Sequence, residues 1–173
     1  MQLGFITLLV PFAERQFIKM NVEIRAANIK DYEAVIKIMS QVQDMHVKWR
    51  PDIYRHNDNL LPKEVFAKII EDGTFFVAEN DNVVVGVLEI VFRHVESPSH
   101  VTRDFIFVDT MAIDEKYRGM GVGHKMFDFL KIMKIEKNMD GIELQVNAKN
   151  DAAYEMYKKC GFTEKSINME LLT

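Results

Sequence analysis

The chain has 173 residues, 48% of them hydrophobic, and no proline-, glycine- or serine-rich linker divides it. This length suits one domain with a sizeable core. Acidic residues outnumber basic ones by 26 to 22, giving a net charge of −4, which argues against a nucleic-acid partner because such partners select a basic face. A single cysteine, Cys160, excludes an internal disulfide and a cysteine-ligated metal cluster. We expect a reducing cytoplasm as the location and no metal cofactor.

Residues 1–20 form an N-terminal extension in this interpretation, followed by one domain at 21–173. Residues 5–10 are apolar, but a membrane-spanning helix needs about 20 such residues. No basic stretch precedes them, so a signal peptide is also disfavoured. The extension is either the product of an upstream start codon, with Met20 as the functional start, or a segment that packs on the domain or on a second subunit. We favour the first interpretation, expect no membrane partner, and leave a homodimer open.

The domain begins with a strand and a capped helix. Residues 22–25 alternate between apolar and polar and predict the first strand. Asn28 stands at the expected N-cap position with Asp31 three residues later, an arrangement similar to a capping box. Apolar residues then recur at helical spacing and predict a helix to about Val47.

A polar loop separates this helix from the second one. Residues 48–59 contain a proline and the only tryptophan of the chain. Pro62 suits the first turn of a helix over residues 63–71, which the following Gly73 would end.

The middle of the chain predicts strands. Residues 74–78 and 83–92 are rich in apolar and β-branched side chains and flank a short polar turn, which indicates a hairpin. A loop containing Pro98 leads to the next strand, at about 105–113.

Three glycines lie between this strand and the next helix, which continues from His124. The sequence over 118–123 is Arg-Gly-Met-Gly-Val-Gly. The N–H groups at a helix start have no intrahelical partner and lie at the positive end of the helix dipole. Glycine lets the backbone adopt positive φ and lets a ligand approach closely. Such a junction is typical of phosphate binding.

The last part of the chain predicts a short strand, a helix and a final strand. Residues 142–146 form the strand, Asn150 caps the helix, and Gly161 ends it. Residues 166–172 alternate loosely and predict the final strand. The predicted order of elements is therefore β-α-α-β-β-β-α-β-α-β.

Two motifs resemble those of the GCN5-related N-acetyltransferase (GNAT) superfamily. The first is R-x-x-G-x-G at 118–123, and the second is L-x-V-x-x-x-N-x-x-A-x-x-x-Y-x-x-x-G-F at 144–162. The resemblance covers the chain from about Met20 to the C-terminus. It implies an α/β fold: a central, mostly antiparallel mixed sheet with one splayed parallel strand pair and flanking helices.

The resemblance also implies the acyl donor, acetyl-CoA, and a set of residues that bind it. The glycine loop would hold the pyrophosphate, and main-chain groups of the preceding strand would pair with the pantetheine arm. Asn150 would contact the same arm besides capping its helix. The residues assigned to acetyl-CoA in this way are Met111, Ala112, Ile113, Arg118, Gly119, Met120, Gly121, Val122, Gly123, His124, Asn150 and Tyr157.

Catalysis would need a proton donor for the departing thiolate and a route for the proton of the amine. Tyr157 lies seven residues after Asn150, two turns along the same helix face, and the resemblance assigns it as the acid. The alternative for Tyr157 is a core aromatic residue. Asp109 and Glu89 are the two candidate bases. The alternatives for them are structural carboxylates, with the proton passing to water.

The acceptor would bind at the loop between the first two helices. His46, Trp49 and Tyr54 are the candidate contacts there, although each could instead only pack the helix or the loop. The function implied is direct transfer of an acetyl group from acetyl-CoA to a primary amine of a small molecule or peptide. The alternative is a non-catalytic acyl-CoA-binding or regulatory module of the same fold. An unrelated nucleotide-binding domain is disfavoured because the lysine–serine pair of a P-loop is missing.

Overall fold

A mixed sheet of five strands in the order β1-β2-β3-β4-β5 is the centre of the computed structural model, which describes residues 20–172. All neighbouring strands are antiparallel except β4 and β5, which are parallel. This is the mixed α/β architecture predicted from the sequence. The predicted extension at 1–20 lies outside the described residues except for Met20. The elements are β1 Val22–Ala26, α1 Tyr32–Trp49, α2 Lys63–Glu71, β2 Phe75–Asn80, β3 Val83–Ser97, β4 His100–Ile113, α3 Val122–Glu136, β5 Gly141–Leu144 and α4 Asp151–Lys159.

The entry into α1 follows the predicted capping chemistry. Asn28 Oδ1 accepts a hydrogen bond from the Lys30 N–H at 2.9 Å, and Asp31 Oδ2 accepts one from the Asn28 N–H at 2.8 Å. Two N–H groups that a helix start leaves without partners are thereby satisfied. Asp31 is buried and also pairs with the Arg25 guanidinium on β1, which fastens the helix start to the sheet.

Each face of the sheet has its own hydrophobic core, because side chains alternate between the faces of a strand. On β2, Phe75 and Val77 pack towards α1 and α2, whereas Phe76 and Ala78 pack towards α3. Phe66 of α2 is fully buried in the first core. The α3 and α4 side holds the second core, which includes Met126, Phe127 and Leu130.

The register of β4 changes in the middle of the strand. Glu89 of β3 pairs with Thr110, but the next residue, Ile90, pairs with Val108, so Asp109 is an extra residue in the ladder. On its other side, β4 pairs with β5 only as far as Val108, opposite Leu144. Beyond that point the two parallel strands are no longer joined.

The hairpin of β3 and β4 is longer than the sequence predicted. A loop was expected from about 93 to 104, but the ladder continues to Ser97 and His100 around a tight turn that contains Pro98. Polar side chains such as His94 and Asp104 pair across this part, 2.7 Å apart, so it lacks the apolar alternation that marks a half-buried strand.

The predicted final strand at 166–172 is wrong. No strand occurs among the described residues after α4, and Ile167 and Met169 are 80% and 92% exposed. Side chains join this segment to the rest of the fold: Lys165 pairs with Glu143 of β5 at 2.7 Å, and Glu170 pairs with Arg50 at 2.5 Å. Alternation alone cannot make a strand, because a strand also needs a neighbour with which to share backbone hydrogen bonds.

None of the helices in the described part of the chain has the length and apolar character that crossing a bilayer requires.

The first prediction concerns Phe66, the buried side chain that packs α2 against the sheet. The Phe66 ring lies between those of Tyr32 and Phe75, with centroids 5.6 and 5.3 Å away. Phe66→Ala should lower the free energy of unfolding by about 3–5 kcal/mol, because it removes the ring and leaves a cavity. Val65→Ala, on the exposed side of the same helix, should change it by less than about 0.5 kcal/mol. Urea denaturation measures both, and equal effects would contradict this account of the core.

Candidate active site

A cleft of about 1200 Å³ opens where β4 separates from β5. Its floor is residues 108–113 of β4. The start of α3 and one side of α4 form one end, and the second half of α1 with part of the following loop forms the other. The register change at Asp109 thus lies in the floor of this cleft.

The glycine loop forms the wall at the start of α3. Gly121 has φ of +86°, a left-handed conformation that other residues rarely adopt, and α3 begins at the next residue. A Cβ atom at Gly123 would lie 2.6 Å from the Met156 sulfur, so a larger residue there would require the Met156 side chain on α4 to move. The first N–H groups of α3 have no intrahelical partners and lie at the positive end of its dipole.

Hydrogen bonds tie the connection before the glycine loop to α1. Asp114 is only 4% exposed, and its carboxylate accepts from the Lys116 N–H at 3.0 Å, from Lys37 Nζ at 3.2 Å and from Gln41 Nε2 at 3.4 Å. Burial alone would raise the pKa of Asp114, but these hydrogen bonds outweigh it and hold the pKa below its usual value. Gln41 also accepts a hydrogen bond from the Glu115 N–H at 2.9 Å. These hydrogen bonds between α1 and residues 114–115 could not be predicted from the sequence, because no local pattern relates residues more than 70 positions apart.

Arg118 extends the same connection into the cleft. Its Nε donates to the Ile113 carbonyl at 3.0 Å, which closes the turn between β4 and the glycines. The side chain is exposed and lines the cleft, so its charge faces the space in front of α3.

The α4 wall contains Asn150 and Tyr157. Asn150 Oδ1 accepts from the Ala153 N–H at 3.1 Å and caps the helix as predicted. The Tyr157 ring contacts Phe127 edge-on, with centroids 5.6 Å apart, while the same side chain lines the cleft. Burial, and secondarily Cys160, raises the pKa of Tyr157, so its phenol stays protonated at neutral pH and can donate. The geometry is therefore compatible with Tyr157 as the acid that protonates the thiolate and with Tyr157 as a core aromatic residue.

The two candidate bases occupy different environments. Asp109 is exposed and lines the cleft. Glu89 is half-buried behind it and accepts a hydrogen bond from Thr110 Oγ1 at 3.3 Å. Burial, and secondarily the charge of Asp109, raises the pKa of Glu89, which the Thr110 hydrogen bond only partly opposes. One carboxylate, Asp109, thus lies on the cleft floor in contact with solvent, whereas Glu89 is largely shielded and does not line the cleft.

The α1 end of the cleft contains the aromatic residues predicted for the acceptor. The rings of His46 and Tyr54 stack with centroids 4.9 Å apart, and Trp49 lies 5.8 Å from His46. Burial lowers the pKa of His46, so its imidazole is neutral at neutral pH.

The cleft brings together all but two of the predicted site residues. Among the described residues, Met120 and Glu89 are the two that do not line it; Met120 is exposed, and Glu89 lies behind Asp109. The sequence analysis missed the apolar residues of α1 and its loop that line the cleft. They are Met39, Val42, Met45 and Leu60. The helical spacing of Met39 and Val42 predicted a buried face but could not distinguish a core from the wall of a cleft, and Leu60 lies in the loop, where no periodicity applies.

Comparison with known proteins identifies the fold and the enzyme class. The sequence model of the Acetyltransferase (GNAT) family matches residues 40–162. The chain belongs to this family. The match includes both motifs, the cleft floor and the second half of α1, so the resemblance predicted from the sequence is confirmed.

Two curated relatives of this GNAT protein are acetyltransferases. Streptothricin acetyltransferase of Escherichia coli is 27% identical over 99 residues, which are 57% of this chain and 52% of that protein. The chain therefore matches about half the length of this relative. An N-alpha-acetyltransferase of Sulfurisphaera tokodaii is 29% identical over 152 residues, covering 83% of this chain and 81% of the relative.

Solved structures are similar over almost their whole length. A point mutant of the BH1408 protein from Bacillus halodurans is 28% identical, with a TM-score of 0.82, and the match covers 87% of this chain and 99% of the other. The aminoglycoside N-acetyltransferase AAC(6')-Iy in complex with CoA shares the fold at 15% identity, with a TM-score of 0.64 over 89% of this chain and 95% of that one. The family and the named relatives support an N-acetyltransferase rather than a non-catalytic binding module.

The second prediction tests the glycine loop. If CoA binds there, it should raise the melting temperature of the wild type, because a ligand that binds only the folded state stabilises it. Gly121→Glu should abolish that rise by adding a carboxylate at the anion site. Gly73→Glu is the matched control: Gly73 also has positive φ and open space for a side chain, but it follows α2, outside the cleft.

Both substitutions should cost similar stability, about 1–2 kcal/mol from the left-handed backbone. Only Gly73→Glu should keep the full thermal shift with CoA. An undiminished shift in Gly121→Glu would remove the glycine loop from the binding site.

Proposed function

We propose that the chain transfers an acetyl group from acetyl-CoA directly to a primary amine of a small molecule or peptide. The observation that carries the proposal is the single cleft shared by the glycine loop, Tyr157 and the α1 aromatic residues. A donor bound at the α3 and α4 end and an acceptor bound at the α1 end would meet over the floor of β4. The CoA complex of a structural neighbour with the same fold supports the choice of donor.

The donor would be held mainly by backbone groups. The N–H groups at the start of α3 and the Arg118 guanidinium suit the pyrophosphate, which is an anion. Residues 109–113 keep alternate backbone groups directed away from β3, and β5 no longer pairs with them beyond Val108. An extended pantetheine arm has amide groups that can pair with this exposed strand edge, as an added strand would.

The reaction proposed is direct attack of the amine nitrogen on the thioester carbonyl carbon. The carbon–nitrogen bond forms, the oxygen gains negative charge, and backbone N–H groups of the β4 edge can stabilise it. The carbon–sulfur bond then breaks and the Tyr157 hydroxyl gives its proton to the thiolate. The positively charged nitrogen of the adduct loses its remaining extra proton through solvent, which returns a proton to Tyr157 and leaves a neutral amide and the free thiol of CoA.

The proton of the amine would pass to Asp109. A protonated alkylamine has a pKa near 10, so a carboxylate or water must take its proton before or during the attack. Asp109 lines the cleft, whereas Glu89 does not, and burial raises the pKa of Glu89 and so favours its neutral form. We therefore assign the direct role to Asp109.

The acceptor would enter at the α1 end, where His46, Trp49 and Tyr54 lie. The names of the relatives support an amine as acceptor: they specify streptothricin, an N-alpha amine and aminoglycosides.

The third prediction tests the acid. Tyr157→Phe keeps the ring and its contacts with Phe127 but removes the hydroxyl, so folding and CoA binding should survive. General acid–base catalysis typically contributes about 10²–10⁴-fold, so kcat should fall by at least about tenfold while KM for acetyl-CoA changes little. Tyr154→Phe, an exposed tyrosine on the same helix, is the control and should keep kcat. A normal kcat in Tyr157→Phe would leave Tyr157 only its packing role.

The fourth prediction tests the acceptor end. Tyr54→Ala removes a ring that stacks on His46 and lines the α1 end of the cleft. The apparent KM for the amine should rise more than the KM for acetyl-CoA, measured by release of free CoA. A rise confined to the acetyl-CoA KM would place the acceptor on the other side of the cleft.

A further inference from the structure

The α1 end of the cleft differs in chemistry from the α3 and α4 end. We call the part lined by α1 and by residues 50–60 the acceptor end. From its charge and its apolar surface we infer the class of acceptor: an amine with one positive charge and an apolar group next to the reacting nitrogen. This inference rests on the proposed function, because it assumes that the acceptor binds at this end.

The acceptor end has no negatively charged side chain among its described lining residues. The one titratable imidazole among them, His46, is neutral at neutral pH. On the floor, Asp109 is the carboxylate that the proposed reaction places beside the amine, and Glu89 lies outside the lining. Asp44 is also on α1, but it is exposed, does not line the cleft and lies near His56.

The charged groups at the α3 and α4 end of the cleft include both signs and add no carboxylate to the acceptor end. Asp151 and Glu155 line the cleft from α4, and Lys149 and Lys159 line it beside them. The acceptor end therefore provides partners for one ammonium group, at the floor. A second ammonium group would lose water without gaining a partner, which is costly.

The apolar lining is the second argument. The acceptor end presents Met39, Val42, Met45, Trp49 and Leu60 towards the cleft. Covering these side chains with an apolar substituent of the acceptor removes both surfaces from water, which is favourable. Methionine side chains are flexible and polarisable, so this wall can adapt to substituents of different shape. Polyamines and aminoglycosides offer several charges and little apolar surface, and they fit this wall poorly.

Three amines that differ in one feature each provide the test: norleucinamide, lysinamide and glycinamide. Norleucinamide and lysinamide have side chains of similar length, ending in a methyl group and an ammonium group respectively, and glycinamide has no side chain. Release of free CoA from acetyl-CoA gives kcat/KM for each with the full chain, and spermidine is added as a polycation. We expect norleucinamide to exceed both lysinamide and glycinamide by at least about tenfold. Equal or higher values for lysinamide or spermidine would overturn the inference.

A variant then tests whether the lining causes the preference. Gln43 lines the acceptor end and donates to the Arg55 carbonyl at 2.7 Å. Gln43→Glu adds a carboxylate of nearly the same size and should reduce the norleucinamide-to-lysinamide ratio several-fold. Asn82→Asp makes the same charge change in the exposed β2–β3 turn and should leave the ratio unchanged. The lost hydrogen bond to Arg55 affects both substrates, so it cancels in the ratio.

The outcomes separate this inference from the proposed function. An unchanged ratio in Gln43→Glu, with activity retained, would overturn only the inference about the acceptor end. If no amine releases CoA and CoA causes no thermal shift in the wild type, the proposed function itself fails and the inference fails with it.

Discussion

The site depends on the end of pairing between two parallel strands. β4 is paired with β3 on both sides of the extra residue Asp109, but β5 pairs with β4 only as far as Val108. Beyond that point alternate N–H and C=O groups of residues 109–113 face the cleft instead of a neighbouring strand. Backbone polar groups need partners wherever water is excluded. This exposed edge is the one along which we propose that the extended pantetheine arm binds.

The two ends of the cleft are also connected mechanically. Gln41 and Lys37 on α1 hold Asp114 and the turn that leads into the glycine loop. One to two turns further along, the same helix provides His46 and Trp49 at the acceptor end. The position of α1 consequently fixes both the loop in front of α3 and the wall that faces the acceptor. A rigid frame of this kind suits direct transfer, in which two substrates must be held close together and correctly oriented.

Much of this could be predicted from the sequence where local chemistry decides the structure. The capping box at Asn28, the glycine loop before α3 and the cap at Asn150 all depend on residues within a few positions, and the structure contains each of them. The predicted final strand failed because pairing depends on a distant neighbour. The hydrogen bonds of Asp114 were not predicted for the same reason, since their donors Lys37 and Gln41 lie on α1. The helical spacing of apolar residues on α1 also could not show that Met39 and Met45 line the cleft rather than the core.

The most direct test of the account is the hydrogen exchange of individual backbone amides in residues 109–113, measured by NMR with and without CoA. Strand geometry predicts two alternating classes in this segment. Amides bonded to β3 should exchange slowly in both states, whereas those directed towards the cleft should exchange faster in the free protein. CoA should slow the second class, together with the first amides of α3. Saturable CoA binding that leaves both groups unchanged would contradict the claim that the donor binds where β4 and β5 separate.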